Sequence, residues 1–259
     1  MLLWLTCTHG RYRCLQRNLR CYLDQTFTGS SVMFICNSGA PLKLPAEFLS
    51  NISIQKHVYI DNCSLMNFQS VGEKYQHAIT LAKKLFPKIN TVTSADDDDV
   101  FIPSHLVNGV HGLNQAHLQD MRGYKPHQSY FRSRDSQGLE QISLQQNTFE
   151  PSMFIDADWI LEHGYAPVSI RYHQQWLDLL LYENKLLISP EGIPTLIYNW
   201  GDNTTTADSW GIYKMSGSGT DNQQNFLAHA RGSRDMGTGI LVPAEDNSHY
   251  YNLIKNIRQ

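Results

Sequence analysis

The chain has 259 residues, 41% of them hydrophobic and 17% charged, with a formal net charge of −3. That length can bury a substantial core in one large domain or two small ones. The near-neutral charge gives no electrostatic case for a general nucleic-acid or membrane-surface binder.

The apolar opening Met1-Leu2-Leu3-Trp4-Leu5 runs directly into Thr6-Cys7-Thr8-His9-Gly10-Arg11, too short and wrongly flanked for a signal peptide, and reads as a first strand over 2–7. No apolar run approaches the roughly 20 residues of a membrane span. Five cysteines without the paired short spacing of a zinc site read as reduced, mostly buried thiols of a cytoplasmic protein.

Residues 11–23 place Tyr12, Leu15, Leu19 and Tyr22 at helical spacing, and Val32–Cys36 is the continuous apolar run of a parallel strand covered on both faces. Strand, helix and strand make a βαβ unit, with a third strand at His57–Ile60. Val71, Tyr75, Ala78, Ile79, Ala82, Leu85 and Phe86 form the clearest helical stripe, stopped by Pro87. A strand over 89–95 then ends in Asp96-Asp97-Asp98-Asp99. Residues 1–99 thus read as a doubly wound half whose ligand edge, beyond the strands' carboxyl ends, carries Thr8, Asn37 and the aspartates.

Pro103 opens a helix with Leu106, Val107, Val110 and Leu113 despite Gly109 and Gly112. The Gln-rich stretch 122–147 reads as a loop or hairpin over the sheet. Next come a strand over 149–155, a short helix from Asp156 stopped by Gly164, and a helix with His173, Trp176, Leu177, Leu180 and Leu181 on one side. Strands follow at Leu186–Ser189 and Thr195–Trp200. The Gly- and Ser-rich segment 201–239 reads as a lid or binding loop, and Tyr250, Leu253, Ile254 and Ile257 mark a closing helix.

Four consecutive aspartates are an ordinary solvated loop unless their context says otherwise. Here an apolar strand precedes them and Val100-Phe101-Ile102-Pro103 follows. An extended run would pair Asp96 with Asp98 and Asp97 with Asp99 on opposite sides. Carboxylates about 4 Å apart repel by roughly 4 kcal/mol at a protein surface, so such a site invites a cation. Oxygen-only ligands indicate Mg²⁺ or Mn²⁺.

Three segments in order resemble the family-2-like glycosyltransferases of the GT-A fold: Arg11–Phe27 its opening helix, Gly72–Ala82 its second helix, and Asp96–Pro103 its Asp-x-Asp-Asp motif with apolar-Pro tail. The likeness covers roughly the first 110 residues. It implies one domain over 1–259, with a nucleotide-sugar half (1–110) and an acceptor half (111–259), and a doubly wound, mostly parallel sheet with a loop-rich C-terminal region. It implies a nucleotide-sugar donor, a UDP-sugar foremost, contacted by Thr8, Arg11, Asn37, Lys74, Asp96 and Asp97. Mn²⁺ or Mg²⁺ would sit on Asp96 and Asp98, with Asp202 as a further metal contact. The transferred sugar would be a hexose or pentose, passed to an acceptor hydroxyl with inversion.

Two departures stand out. Asn37 replaces a usual aspartate, and the family's late acidic pair falls near His173-Gln174-Gln175, which leaves Asp178 as the base, with Asp156, Asp158 and His173 as rivals. The acceptor is left open among a glycan, a small molecule, a protein or a hydroxylated nucleobase. Arg122, Lys125, Arg132 and Arg134 are the one candidate basic cluster for a nucleic acid, with a solvated loop as the plainer reading. Trp176 is expected in the core, while Trp200 and Trp210 are candidates for stacking on a ligand. The competing activities are a sugar-nucleotide-binding protein without transfer and a two-metal nucleotidyltransferase. Oligomeric state is not legible.

Overall fold

In the computed structural model, residues 1–9, 11–46, 48, 55–134, 140–147, 150–167, 174–199 and 239–255 are described. Strands β1 (Leu2–Thr8), β2 (Ser31–Asn37), β3 (Lys56–Asn62), β4 (Thr91–Ser94), β6 (Gly123–Pro126), β9 (Phe154–Asp156) and β10 (Leu186–Ser189) form one sheet in the order β10-β6-β9-β4-β1-β2-β3. β3, β2, β1 and β4 are mutually parallel, and β10 is parallel to β6. β9 alone runs antiparallel, wedged between β4 and β6. Strands from the second half of the chain therefore complete the sheet begun by the first.

The sheet is covered on both faces because its strands are apolar on both. In β1, Leu2 and Trp4 join one core while Leu3 and Leu5 join the other, and Met33 and Ile35 oppose Val32 and Phe34 in the same way in β2. Each such side chain contributes about 1.5–3 kcal/mol on burial. Helices α1 (Tyr12–Leu23), α3 (His105–His117) and α6 (Ser248–Lys255) lie on the first face. Helices α2 (Val71–Leu85), α4 (Ala157–His163) and α5 (Gln174–Tyr182) lie on the second.

Local chemistry sets the helix ends. Ser70 accepts the Glu73 backbone N–H at 3.1 Å, while Glu73 reaches back to the Gln69 N–H at 2.7 Å, and α2 stops before Pro87. Gly164, with φ +69°, ends α4 as expected. The two glycines of α3 are required by packing. A Cβ on Gly109 would stand 2.0 Å from the Phe154 ring, and one on Gly112 would stand 2.2 Å from that of Tyr124. They let α3 settle directly on β9 and β6.

Several expectations need correction. The stretch 122–147 is more than a loop or hairpin. It supplies β6 to the main sheet, then β7 (Gln128–Arg134) and β8 (Glu140–Gln146), which pair antiparallel in a second sheet of order β5-β11-β7-β8 with β5 (Val100–Phe101) and β11 (Leu196–Asn199). Of its basic residues, Arg122 is exposed, but two others are not solvated. Lys125 and Arg132 are buried, and the Arg132 guanidinium lies 5.3 Å from the Tyr250 ring centre. The expected strand over 149–155 is a 3₁₀ turn at Glu150–Ser152 followed by a three-residue strand. Trp176 and Leu180 are buried as expected, but Leu181 is exposed. Residues 200–238 lie outside the described residues, and with them Trp200, Trp210 and Asp202. Among the described residues, no helix is long and apolar enough to cross a membrane.

Candidate functional site

β2, β1 and β4 are adjacent and parallel, so their carboxyl ends share one edge of the sheet. That edge gathers Thr8, His9, Asn37, Ser38 and the four aspartates, the arrangement expected of a ligand site in an open α/β sheet. The aspartates do not stay extended. Pairing of β4 with β1 ends at Ser94, the Ala95 N–H still reaches Leu5 O at 2.8 Å, and the chain then turns, with the Asp99 N–H donating to Asp96 O at 3.3 Å. The expected pairing of Asp96 with Asp98 and Asp97 with Asp99 is therefore replaced. Asp97 and Asp98 converge on Arg11, while Asp96 points to Tyr75.

Arg11, just before α1, bridges Asp97 and Asp98, donating to Asp98 Oδ2 at 2.6 Å. Asp97 is fully buried and also accepts from Thr8 Oγ1. Tyr75 OH donates to Asp96 Oδ1 at 3.0 Å. Arg17 and Asn18 of α1 hold the backbone of the turn, donating to Asp98 O at 2.6 Å and Asp96 O at 2.9 Å.

Electrostatics follow from this crowding. Burial, and then the charge of Asp98, push the Asp96 carboxyl up to about 7, against the Tyr75 hydrogen bond. Burial also raises Asp97 against the pull of Arg11. Although burial opposes it, Asp97 and Asp98 hold the Arg11 guanidinium well above its ordinary value. A carboxyl that resists ionising in this setting is one that a divalent cation would ionise, and the donors are oxygens only. An oxygen-only donor set is the chemistry that suits Mg²⁺ or Mn²⁺.

Three residues expected at the donor have partners within the protein. Lys74 is buried, with its ammonium on Thr8 O and, at 2.9 Å, on Ser38 Oγ, so it ties the ends of β1 and β2 together. Asn37 uses its amide inside its own loop, donating to Ala40 O (2.8 Å) and Asn62 Oδ1 (3.1 Å) and accepting from the Gly39 N–H (3.0 Å). It shapes the loop after β2, as an Asx turn does. Arg11 serves the aspartates first.

Of the residues considered for the base, Asp178 is exposed on α5 and His173 lies outside the described residues. Asp156 and Asp158 belong to the opposite edge of the sheet. Asp156 is the register partner of Thr91, at the start of β4, and contacts His117 at 2.7 Å, while Asp158 pairs with Lys83 at 2.9 Å. Sequence reasoning did not single out Tyr75, Arg17, Asn18 or Ser38 for the site. They come from α1, α2 and the loop after β2, and no spacing along the chain signals their convergence.

No protein-family model matches the sequence, and no curated protein matches it. Solved structures do match. S. aureus TarS 1–349 has a TM-score of 0.53 at 10% identity, covering 90% of this chain and 71% of that one. The same protein in complex with UDP-GlcNAc gives 0.53 at 9%, covering 90% and 72%. In complex with UDP it gives 0.51 at 9%, covering 88% and 70%. The fold is GT-A-like. The chain spans 43% of the longer TarS structure. At such identity the likeness is one of fold, and any chemistry must be argued from this chain's own residues.

Proposed function

We propose that the chain is a metal-dependent glycosyltransferase that moves a sugar from a nucleotide-sugar, foremost a UDP-sugar, to an acceptor hydroxyl with inversion. The observation that carries this reading is the acidic turn Asp96–Asp99 at the carboxyl edge of β4, next to Thr8 of β1. Support comes from the fold shared with TarS, whose structures hold UDP-GlcNAc and UDP.

In this reading Asp96 and Asp98 would hold Mn²⁺ or Mg²⁺, which would supply positive charge to the diphosphate of the leaving nucleotide. Arg11 holds the Asp97 and Asp98 carboxyl groups together. Thr8 and the loop shaped by Asn37 and Asn62 flank the nucleotide. Asp202 is proposed as a further metal contact on the family resemblance, in the place where a late histidine would serve. Asp178 is proposed as the base. It would take the acceptor's proton as the hydroxyl oxygen attacks the anomeric carbon, and the electron pair of the broken C–O bond would leave with the diphosphate.

The test is Mn²⁺-dependent release of UDP from UDP-GlcNAc and related UDP-sugars, comparing wild type with Asp98→Asn. A fall of about 10²–10³-fold in a folded variant is expected, the scale seen when one charge-stabilising group is removed. Equal rates would remove Asp98 from the site. Binding without release in the wild type would select the sugar-nucleotide-binding alternative.

A further inference from the structure

All five cysteines are free thiols, and two of them meet a carboxylate away from the acidic turn. On the sheet face covered by α2, parallel register places Cys36 of β2 opposite Asp61 of β3. Cys63 follows Asp61 by two positions, hence on the same face. The sulfurs of Cys36 and Cys63 are 3.4 Å apart, and Cys36 Sγ is 4.0 Å from Asp61 Oδ2. All three donor atoms lie within 4.8 Å of one another. Both thiols are buried, and the Asp61 side chain is 19% exposed. From α2, His77 Nε2 stands 2.8 Å from the same Asp61 oxygen.

These separations suit a tetrahedral ion. Two thiolates about 2.3 Å from Zn²⁺ stand about 3.8 Å apart, and a thiolate and a carboxylate oxygen about 3.6 Å apart. His77 holds the Asp61 carboxylate from one side, while the two buried thiols on the other side are only weak donors to it. A ligand carboxylate anchored by a second polar group is the usual construction of a metal site.

We propose that Cys36, Asp61 and Cys63 bind one thiolate-preferring divalent ion of the zinc class, with His77 as the residue that positions Asp61. The ion would staple the carboxyl ends of β2 and β3. It would sit directly beneath the loop held by the Asn37–Asn62 amide pair and by Asn62 on Leu42 O at 2.8 Å. Its sulfur donors set it apart from the oxygen-lined turn, so it stands whether or not the chain transfers sugar.

The experiment is a Co²⁺ titration of the fully reduced protein with Mg²⁺ in excess to hold the acidic turn. The expected result is a thiolate-to-Co²⁺ charge-transfer band that saturates at one equivalent and is displaced by Zn²⁺. Cys36→Ser and Cys63→Ser should each cut the band to one thiolate's intensity or less, whereas Cys14→Ser should leave it unchanged. His77→Ala should weaken Co²⁺ binding about 10–100-fold with the saturated band intact. Absence of the band in the wild type, which depends on no variant folding, would overturn the proposal. So would a band of undiminished intensity in both serine variants.

Discussion

Arg11→Ala is expected to unfold well below the wild type at pH 8 without metal, by roughly 6–20 °C in midpoint. The side chain is 18% exposed and bridges a fully buried Asp97 and an 8% exposed Asp98. Removing one partner of a buried pair costs about 3–5 kcal/mol because the other charge is left uncompensated. In a protein of this size each kcal/mol moves the midpoint by about 2–4 °C. The pH dependence has a definite sign. Burial already raises Asp97 against the pull of Arg11, and without the guanidinium it is harder still to ionise in the fold than in the unfolded chain. The deficit is therefore full at high pH and shrinks as acid protonates Asp97. Mn²⁺ should narrow the gap by supplying the missing charge. Scanning calorimetry at pH 8 and pH 5 decides the matter. A variant as stable as the wild type at pH 8 would mean that Arg11 does not hold the acidic turn.

His105→Gln should change the response to acid more than it changes stability at neutral pH. His105 is fully buried at the start of α3, its Nδ1 2.8 Å from Thr195 Oγ1 and its ring 4.8 Å from those of Phe101 and Phe154. Burial pushes its pKa down to about 3. Below the ordinary value near 6.5 the unfolded chain takes up a proton that the fold refuses, so stability drains away as pH falls toward 3, with a ceiling of about 5 kcal/mol. Asp96 acts in the opposite direction. With its carboxyl at about 7 in the fold, it takes up a proton before the unfolded chain does, and acidification from pH 7 to 4 favours the native state. In the wild type the two effects oppose each other between pH 4 and 6.5. In His105→Gln only the second remains, so urea midpoints of the variant should rise from pH 7 to 4 relative to those of the wild type. Parallel profiles would show that His105 is not held neutral.

The first hundred residues were readable because parallel strands covered on both faces are continuous apolar runs, as in β1 and β2, and because α1 and α2 carry clean stripes. The second sheet was hidden for the opposite reason. β7 and β8 are rich in Ser and Gln and lack the apolar alternation that marks a strand, and β9 is three residues long. The acidic run was visible as a sequence feature, but its shape was not. Alternation predicted an extended ladder, whereas the end of pairing at Ser94 lets the chain turn and brings neighbouring Asp97 and Asp98 to one guanidinium. Lys74 and Asn37 came as donor contacts from the family resemblance, and their hydrogen bonds at the strand ends had no signal in the sequence. The cysteine cluster escaped notice because Cys36 and Asp61 are neighbours only through strand register.

The central claim is that the acidic turn is a metal-dependent nucleotide site. Its most direct test is the thermal unfolding midpoint of the wild-type protein with UDP, with and without Mn²⁺, against other nucleoside diphosphates. At about 100 times its dissociation constant a ligand adds roughly 2.7 kcal/mol, or about 5–10 °C here. The account predicts a rise that requires both Mn²⁺ and a diphosphate and is greatest with UDP. The same midpoint with every diphosphate, with or without Mn²⁺, would contradict it.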